Sequence, residues 1–201
     1  MNVMLRTAAA AFVFLTPALA APEIDAPSPV FEGTTSSGET ISLDQFAGQN
    51  VVLEWTNHGC PFVQRHYESG NMQDTQVAAK EAGAVWISVI SSAPGKQGHV
   101  TAAEANDLTT SRNASPDYVV LDESGDIGRL FSAKTTPHMF LIDEAGVLRY
   151  DGAIDDKPTA NPANAAGAVN YLLAAVDQVS AGTAVQENQT KPYGCSVKYG
   201  S

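Results

Sequence analysis

Cysteine is scarce: the 201-residue chain holds two, Cys60 and Cys195. This excludes a small fold stapled by several disulfides, and a chain of this length can bury a core without them. Positive charge is also sparse, with 11 Lys and Arg against 22 Asp and Glu and a formal net charge of −11. So acidic a chain argues against nucleic acid and anionic membrane surfaces as partners. After residue 20 no apolar run is long enough to cross a bilayer. There is no internal repeat and no low-complexity linker, so one domain is expected. The four histidines, at 58, 66, 99 and 138, and the two cysteines show no compact metal-ligand spacing. A Cys/His copper or zinc site is therefore an alternative only, and the sequence calls for no cofactor.

The first twenty residues read as a leader. Arg6 supplies the positive start, Ala8 to Leu15 an apolar middle, and Ala18-Leu19-Ala20 a small-x-small cleavage pattern. This is the layout of a secretory signal peptide, which places the protein in the periplasm or outside the cell and the mature start near Ala21. In an oxidising compartment two cysteines invite pairing. A bridge closing the long loop between them would stabilise by roughly 4–5 kcal/mol on the chain-entropy account.

Between residues 21 and 181 the pattern alternates. Thr40 to Phe46 reads as a short strand running into a turn, and Val51 to Trp55 as a buried strand. Pro61 suits the first turn of a helix, where its missing N–H costs nothing; that helix runs to about Glu68, and a second from Met72 to Ala82. Ala84 to Ile90 is a strand. Thr101 to Arg112 is a helix whose Thr101 and Glu104 have capping-box spacing. Tyr118 to Leu121 is a strand, Gly125 to Phe131 a short helix, and Met139 to Ile142 with Val147 to Tyr150 a hairpin. A last helix is expected from Pro162 to Val179. The order implies an α/β fold with a central mixed β-sheet flanked by helices on both faces. Residues 182–201 form a polar tail carrying Cys195 and lack the periodicity of a core element.

Cys60 sits where a buried strand gives way to a helix N-terminus. Partial positive charge from the first-turn N–H groups favours thiolate over thiol. Thiolate is the nucleophile in disulfide exchange and in peroxide attack. His58, two residues earlier, is a candidate for added positive charge or for proton acceptance; the plainer reading is a loop histidine bonded to backbone. Thr135-Thr136-Pro137-His138 opens a strand, and an X-Pro bond there is a candidate for the cis isomer.

Together these segments resemble the thioredoxin-like superfamily, in particular its redoxin branch related to alkyl hydroperoxide reductase and thiol-specific antioxidant proteins. Val51 to Trp55 resembles the strand before the active-site loop. Asn57-His-Gly-Cys-Pro-Phe-Val63 is similar to the helix start of single-thiol redoxins, with Gly59 as an extra residue. Thr136-Pro137 resembles the family's cis-proline beside the reactive cysteine, and Phe140 to Asp143 with Gly146 to Leu148 resembles the following hairpin. The resemblance implies a thioredoxin-like fold, Cys60 as nucleophile, Thr56, His58, Pro61, Thr136 and Pro137 as supporting residues, and a protein thiol or disulfide, or a peroxide, as reaction partner.

The chain departs from the family pattern at two places. Val63 stands where thioredoxins have the second cysteine of Cys-x-x-Cys. Thr56 lies four residues before Cys60 where typical peroxiredoxins have a threonine three before, and Arg129 and Arg149 are the candidates for the arginine that orients peroxide. With no local second thiol, Cys195 is the candidate resolving partner, on a tail whose glycines at 182, 194 and 200 imply freedom to swing. A permanent Cys60–Cys195 clamp, in a binding protein without catalysis, and a free tail thiol are the alternatives.

Overall fold

The computed structural model describes residues 21–200, so the expected leader lies outside the described residues. Five strands form the central sheet. They are β3 (Val51–Trp55), β4 (Val85–Ile90), β5 (Tyr118–Leu121), β7 (His138–Ile142) and β8 (Leu148–Gly152), in the order β5-β4-β3-β7-β8. β3, β4 and β5 are parallel, while β7 pairs antiparallel with both β3 and β8. β3 and β7 are buried along their whole length. This is why Val51 to Trp55 reads as a continuous run of large side chains and not as an alternation.

Alternation along the strands supplies two cores. Leu53, Trp55, Ile87, Val89 and Phe140 face Ile127 of the short helix α4 (Asp126–Leu130) and Phe131, which caps it, together with Phe31 and Ile41. The latter two flank and belong to a hairpin of β1 (Glu32–Thr34) and β2 (Thr40–Ser42). Val52, Trp86, Met139 and Leu141 face α2 (Asn71–Glu81) and α5 (Tyr171–Ser180) on the opposite side. α1 (Pro61–Glu68) precedes α2, and α3 (Ala102–Ser111) starts with the Thr101–Glu104 capping box. Helices therefore lie on both faces of a mixed sheet.

Two segments differ from the sequence expectation. The stretch from Pro162 to Val179 is not one helix. A 3-10 turn at Pro162–Ala165 ends before Gly167, which takes a left-handed φ of 71°, and α5 starts afresh with Asn170 capping the Leu173 N–H at 2.9 Å. The tail is the larger correction, because residues 185–200 are packed along the domain. Val185 joins the α5-side core, and Asn188 and Thr190 bond to the backbone of Asp151 on the exposed edge of β8. Cys195–Ser196, β9, then pairs antiparallel with Thr135–Thr136, β6. Beyond it Lys134 O accepts from the Val197 N–H, the Ala93 N–H bonds to Lys198 O, and Tyr199 Oη donates to Ala133 O at 2.8 Å. The tail is a strap from the β8 edge, over the Cys60 end of the sheet, to the far side of α4.

Candidate active site

Cys60 is the N-cap of α1, with Pro61 at the first helical position as the sequence implied. The loop ahead of it is held by local bonds: Asn57 Oδ1 accepts from the Gly59 N–H at 2.8 Å, and the Cys60 N–H bonds to Asn57 O at 3.0 Å. From the facing loop, Gln97 donates to Gly59 O at 2.8 Å. The extra residue Gly59 lets this bond form closely, since a Cβ would approach the Gln97 side chain to 3.0 Å and require it to shift. The Cys60 sulfur has no exposed surface.

Three chain segments meet at that sulfur. Cys60 Sγ lies 3.1 Å from Thr136 O, and the Thr136–Pro137 peptide bond is cis. Thr136 is also the register partner of Cys195, and this pairing makes the Cys195 side chain part of the electrostatic surroundings of Cys60. Both cysteines are free thiols.

The two thiols differ in electrostatics. Burial pushes the Cys60 thiol up, but the Cys195 side chain, the backbone N–H groups of Val63 and Cys195, and the Thr136 side chain outweigh it and lower Cys60 from the ordinary thiol value. Half-buried Cys195 is pushed up to about 11, first by burial and then by its bond to Cys60 and that group's negative charge. The pair is thus polarised: the proton leaves Cys60 more readily than Cys195.

Other residues expected at the site are placed around it. The Thr56 hydroxyl is buried without a hydrogen-bond partner among the described residues and, with His58 and Arg112, lines a small cleft toward α3. His58 makes no ring hydrogen bond to Cys60 among the described residues; burial, then the nearby Arg112 charge, lowers its pKa and favours neutral imidazole. Arg129 stacks on Tyr199 and bonds to Gly200 O, and Arg149 pairs with Asp143 and Asp25, so neither arginine is directed at Cys60. His138 is tied up as well, between Asp151 at 2.6 Å and the Lys134 N–H at 3.2 Å. Among the described residues no three His, Cys, Asp or Glu side chains gather in a metal-binding group.

Sequence reasoning missed a buried polar cluster beside the site. Arg65 and Asp155, both fully buried, form a two-bond ion pair at 2.9 and 3.3 Å. Tyr193 donates to Asp155 and accepts from Arg65 Nη1 at 2.9 Å, and His66 Nε2 lies 3.1 Å from the same hydroxyl. Pairs separated by 38 to 128 positions leave no periodic trace. The available hint was the adjacent Arg65 and His66 within a short helix that follows directly on Cys60.

This arrangement has known relatives. The Redoxin family matches residues 20–169, three quarters of the sequence. The chain belongs to the Redoxin family. Among solved structures, a hypothetical protein from Sinorhizobium meliloti 1021 is 21% identical with a TM-score of 0.76, covering 90% of this chain and 97% of that one. An uncharacterized conserved protein from Geobacillus kaustophilus is 20% identical with a TM-score of 0.77, covering 89% and 93%. A putative thiol:disulfide interchange protein DsbE from Chlorobium tepidum is 21% identical with a TM-score of 0.53, covering 65% and 85%. A search of the curated proteins found no match. The fold of this redoxin is thioredoxin-like.

Proposed function

We propose that this redoxin is an exported thiol–disulfide oxidoreductase in which Cys60 is the nucleophile and Cys195 the resolving thiol. The observation that carries the reading is the β6–β9 pairing, which sets Cys195 opposite the residue whose carbonyl touches Cys60. In the reaction, Cys60 thiolate attacks one sulfur of a substrate disulfide and that bond breaks, releasing one substrate thiolate. Cys195, giving up its proton, attacks the Cys60 sulfur of the mixed disulfide and expels the second thiolate. The protein is left with a Cys60–Cys195 disulfide and the substrate with two thiols. A dithiol reductant reverses these steps, and the depressed pKa makes Cys60 the better leaving group. Proton loss from Cys195 is the demanding step, and the closeness of the two sulfurs offsets it.

Disulfide exchange is preferred to peroxide reduction because Thr56 faces the α3 cleft, and Arg129 and Arg149 are engaged elsewhere. The export reading rests on the leader pattern of residues 1–20. The test is Cys195→Ser. It is expected to fold, to react once with a disulfide substrate, and to stall with Cys60 held in a mixed disulfide. Loss of several kcal/mol of stability with turnover intact would make the Cys60–Cys195 link a structural clamp. Faster turnover of wild type with peroxide than with disulfides would move the reaction to the antioxidant branch.

A further inference from the structure

We infer that Tyr193 is a positioning residue: its hydroxyl, seated on the Arg65–Asp155 ion pair, holds the Cys195 strand against Cys60. The inference rests on the exchange reading above and extends it to a residue that touches neither sulfur.

Arg65 lies on α1, the helix that Cys60 caps, five residues beyond the sulfur. Tyr193 lies two residues before Cys195. The cysteines are therefore the two ends of one linkage that runs from Cys60 along α1 to Arg65, through Asp155 to the Tyr193 hydroxyl, and on to Cys195. Every joint is short and well supported. The ion pair is fully buried, and Arg65 is further fixed by Lys157 O at 3.0 Å. Asp155 Oδ1 accepts from the Lys157 N–H at 3.0 Å. His66, the next residue on α1, reaches the same hydroxyl and is itself held by Asn71 at 2.7 Å. The Tyr193 ring packs on Phe62, also of α1, at 5.9 Å between centroids. Downstream, β9 is tied through Val197, Lys198 and Tyr199; upstream, Tyr193 is its nearest side-chain anchor, and a pairing over only two residues is marginal alone. With that anchor, the reduced protein has already met the ordering cost of bringing the thiols together.

A merely structural Tyr193 would stabilise the fold and leave the thiol equilibrium alone. A positioning Tyr193 sets the effective concentration of Cys195 at Cys60. The full-length wild type and Tyr193→Phe, which keeps the ring and removes one oxygen, are equilibrated with glutathione and glutathione disulfide, and the Cys60–Cys195 disulfide is mapped. The equilibrium constant for forming it is expected to fall about tenfold, a reduction potential about 30 mV more positive. Alkylation of Cys60 in the folded, reduced variant is expected to rise at least about fivefold as the strand lifts more often. Thr190→Val, which removes the hydroxyl that bonds Tyr150 Oη and accepts from the Ala153 N–H farther from Cys195, is expected to cost stability while moving the constant less than about twofold. The inference is overturned if Tyr193→Phe stays within twofold of wild type on both readouts, or if Thr190→Val shifts the constant equally. A wild type that never forms the Cys60–Cys195 bond overturns the exchange reading, and Cys60 alkylation then still decides whether Tyr193 holds the strand in place.

Discussion

Thr136 and Cys195 face one another across the two-residue β6–β9 pair, while the carbonyl of that same threonine rests on the Cys60 sulfur. One residue thus registers the strap and contacts the nucleophile. The backbone that shapes the floor of the site also sets where its second thiol arrives.

The order of titration follows from the environments. In the reduced protein, the alkylation rate of Cys60 against pH is expected to have its midpoint below that of an ordinary thiol, and that of Cys195 at about 11. Alkylation with a small reagent, mapped cysteine by cysteine, checks it. A Cys60 midpoint at or above that of Cys195 would remove the polarisation of the pair.

Gly194 is the second test of the strap. It has a φ of 134°, and a Cβ there would collide with Thr136 O. Gly194→Ala is expected to cost about 1–3 kcal/mol, seen as detachment of β9 with the sheet intact. Hydrogen exchange should rise at Cys195 and Val197 and stay unchanged in β3 and β4. Unaltered protection at both tail amides would show that the pairing tolerates the side chain.

His66 gives a pH dependence whose sign can be worked out. Burial lowers its pKa from 6.5 to about 4, with Asp155 opposing and Arg65 reinforcing the shift. Between those values the unfolded chain binds a proton that the folded chain refuses. Stability therefore falls as pH drops from 6.5 to 4, by up to about 3 kcal/mol. Urea unfolding of wild type and His66→Gln across this window checks it, because the variant lacks this component and its curve should be flatter. Parallel curves would show that His66 is protonated equally in both states.

Glu54 is fully buried in the sheet, where it accepts from Trp86 Nε1 at 3.0 Å, Ser88 Oγ at 2.9 Å and Tyr67 Oη at 3.1 Å. Glu54→Leu leaves those donors without an acceptor and is expected to cost about 2–5 kcal/mol. Glu54→Gln, which keeps an oxygen, should cost less than half of that. Equal losses by chemical denaturation would point to volume and not to hydrogen bonding.

What the sequence disclosed was local. Val51 to Trp55 marks a strand by its unbroken large side chains, and Thr101 with Glu104 marks a helix start, because both signals are complete within a few residues. Pro61 behind Cys60 is likewise a self-contained signal. The strap was illegible for the opposite reason. Its partners are polar groups far along the chain, Tyr193 with Asp155 and Thr190 with Tyr150, so hydropathy reads it as solvent-facing. The break near Gly167 was passed over because Ala and Asn on either side kept a helical composition, while the cap that restarts the helix, Asn170, is also anchored by Thr75 of α2.

The strap also orders events during synthesis. Its strand pairs with residues about sixty positions earlier and lies against a cysteine 135 positions earlier. Contacts of that span form late, after the local pairings of the sheet and the helix starts. A growing chain therefore exposes Cys60 well before Cys195 has been made. For that interval the sulfur meets its surroundings as a lone thiol, and the two-thiol centre comes into being only once Cys195 has been made and its strand has docked.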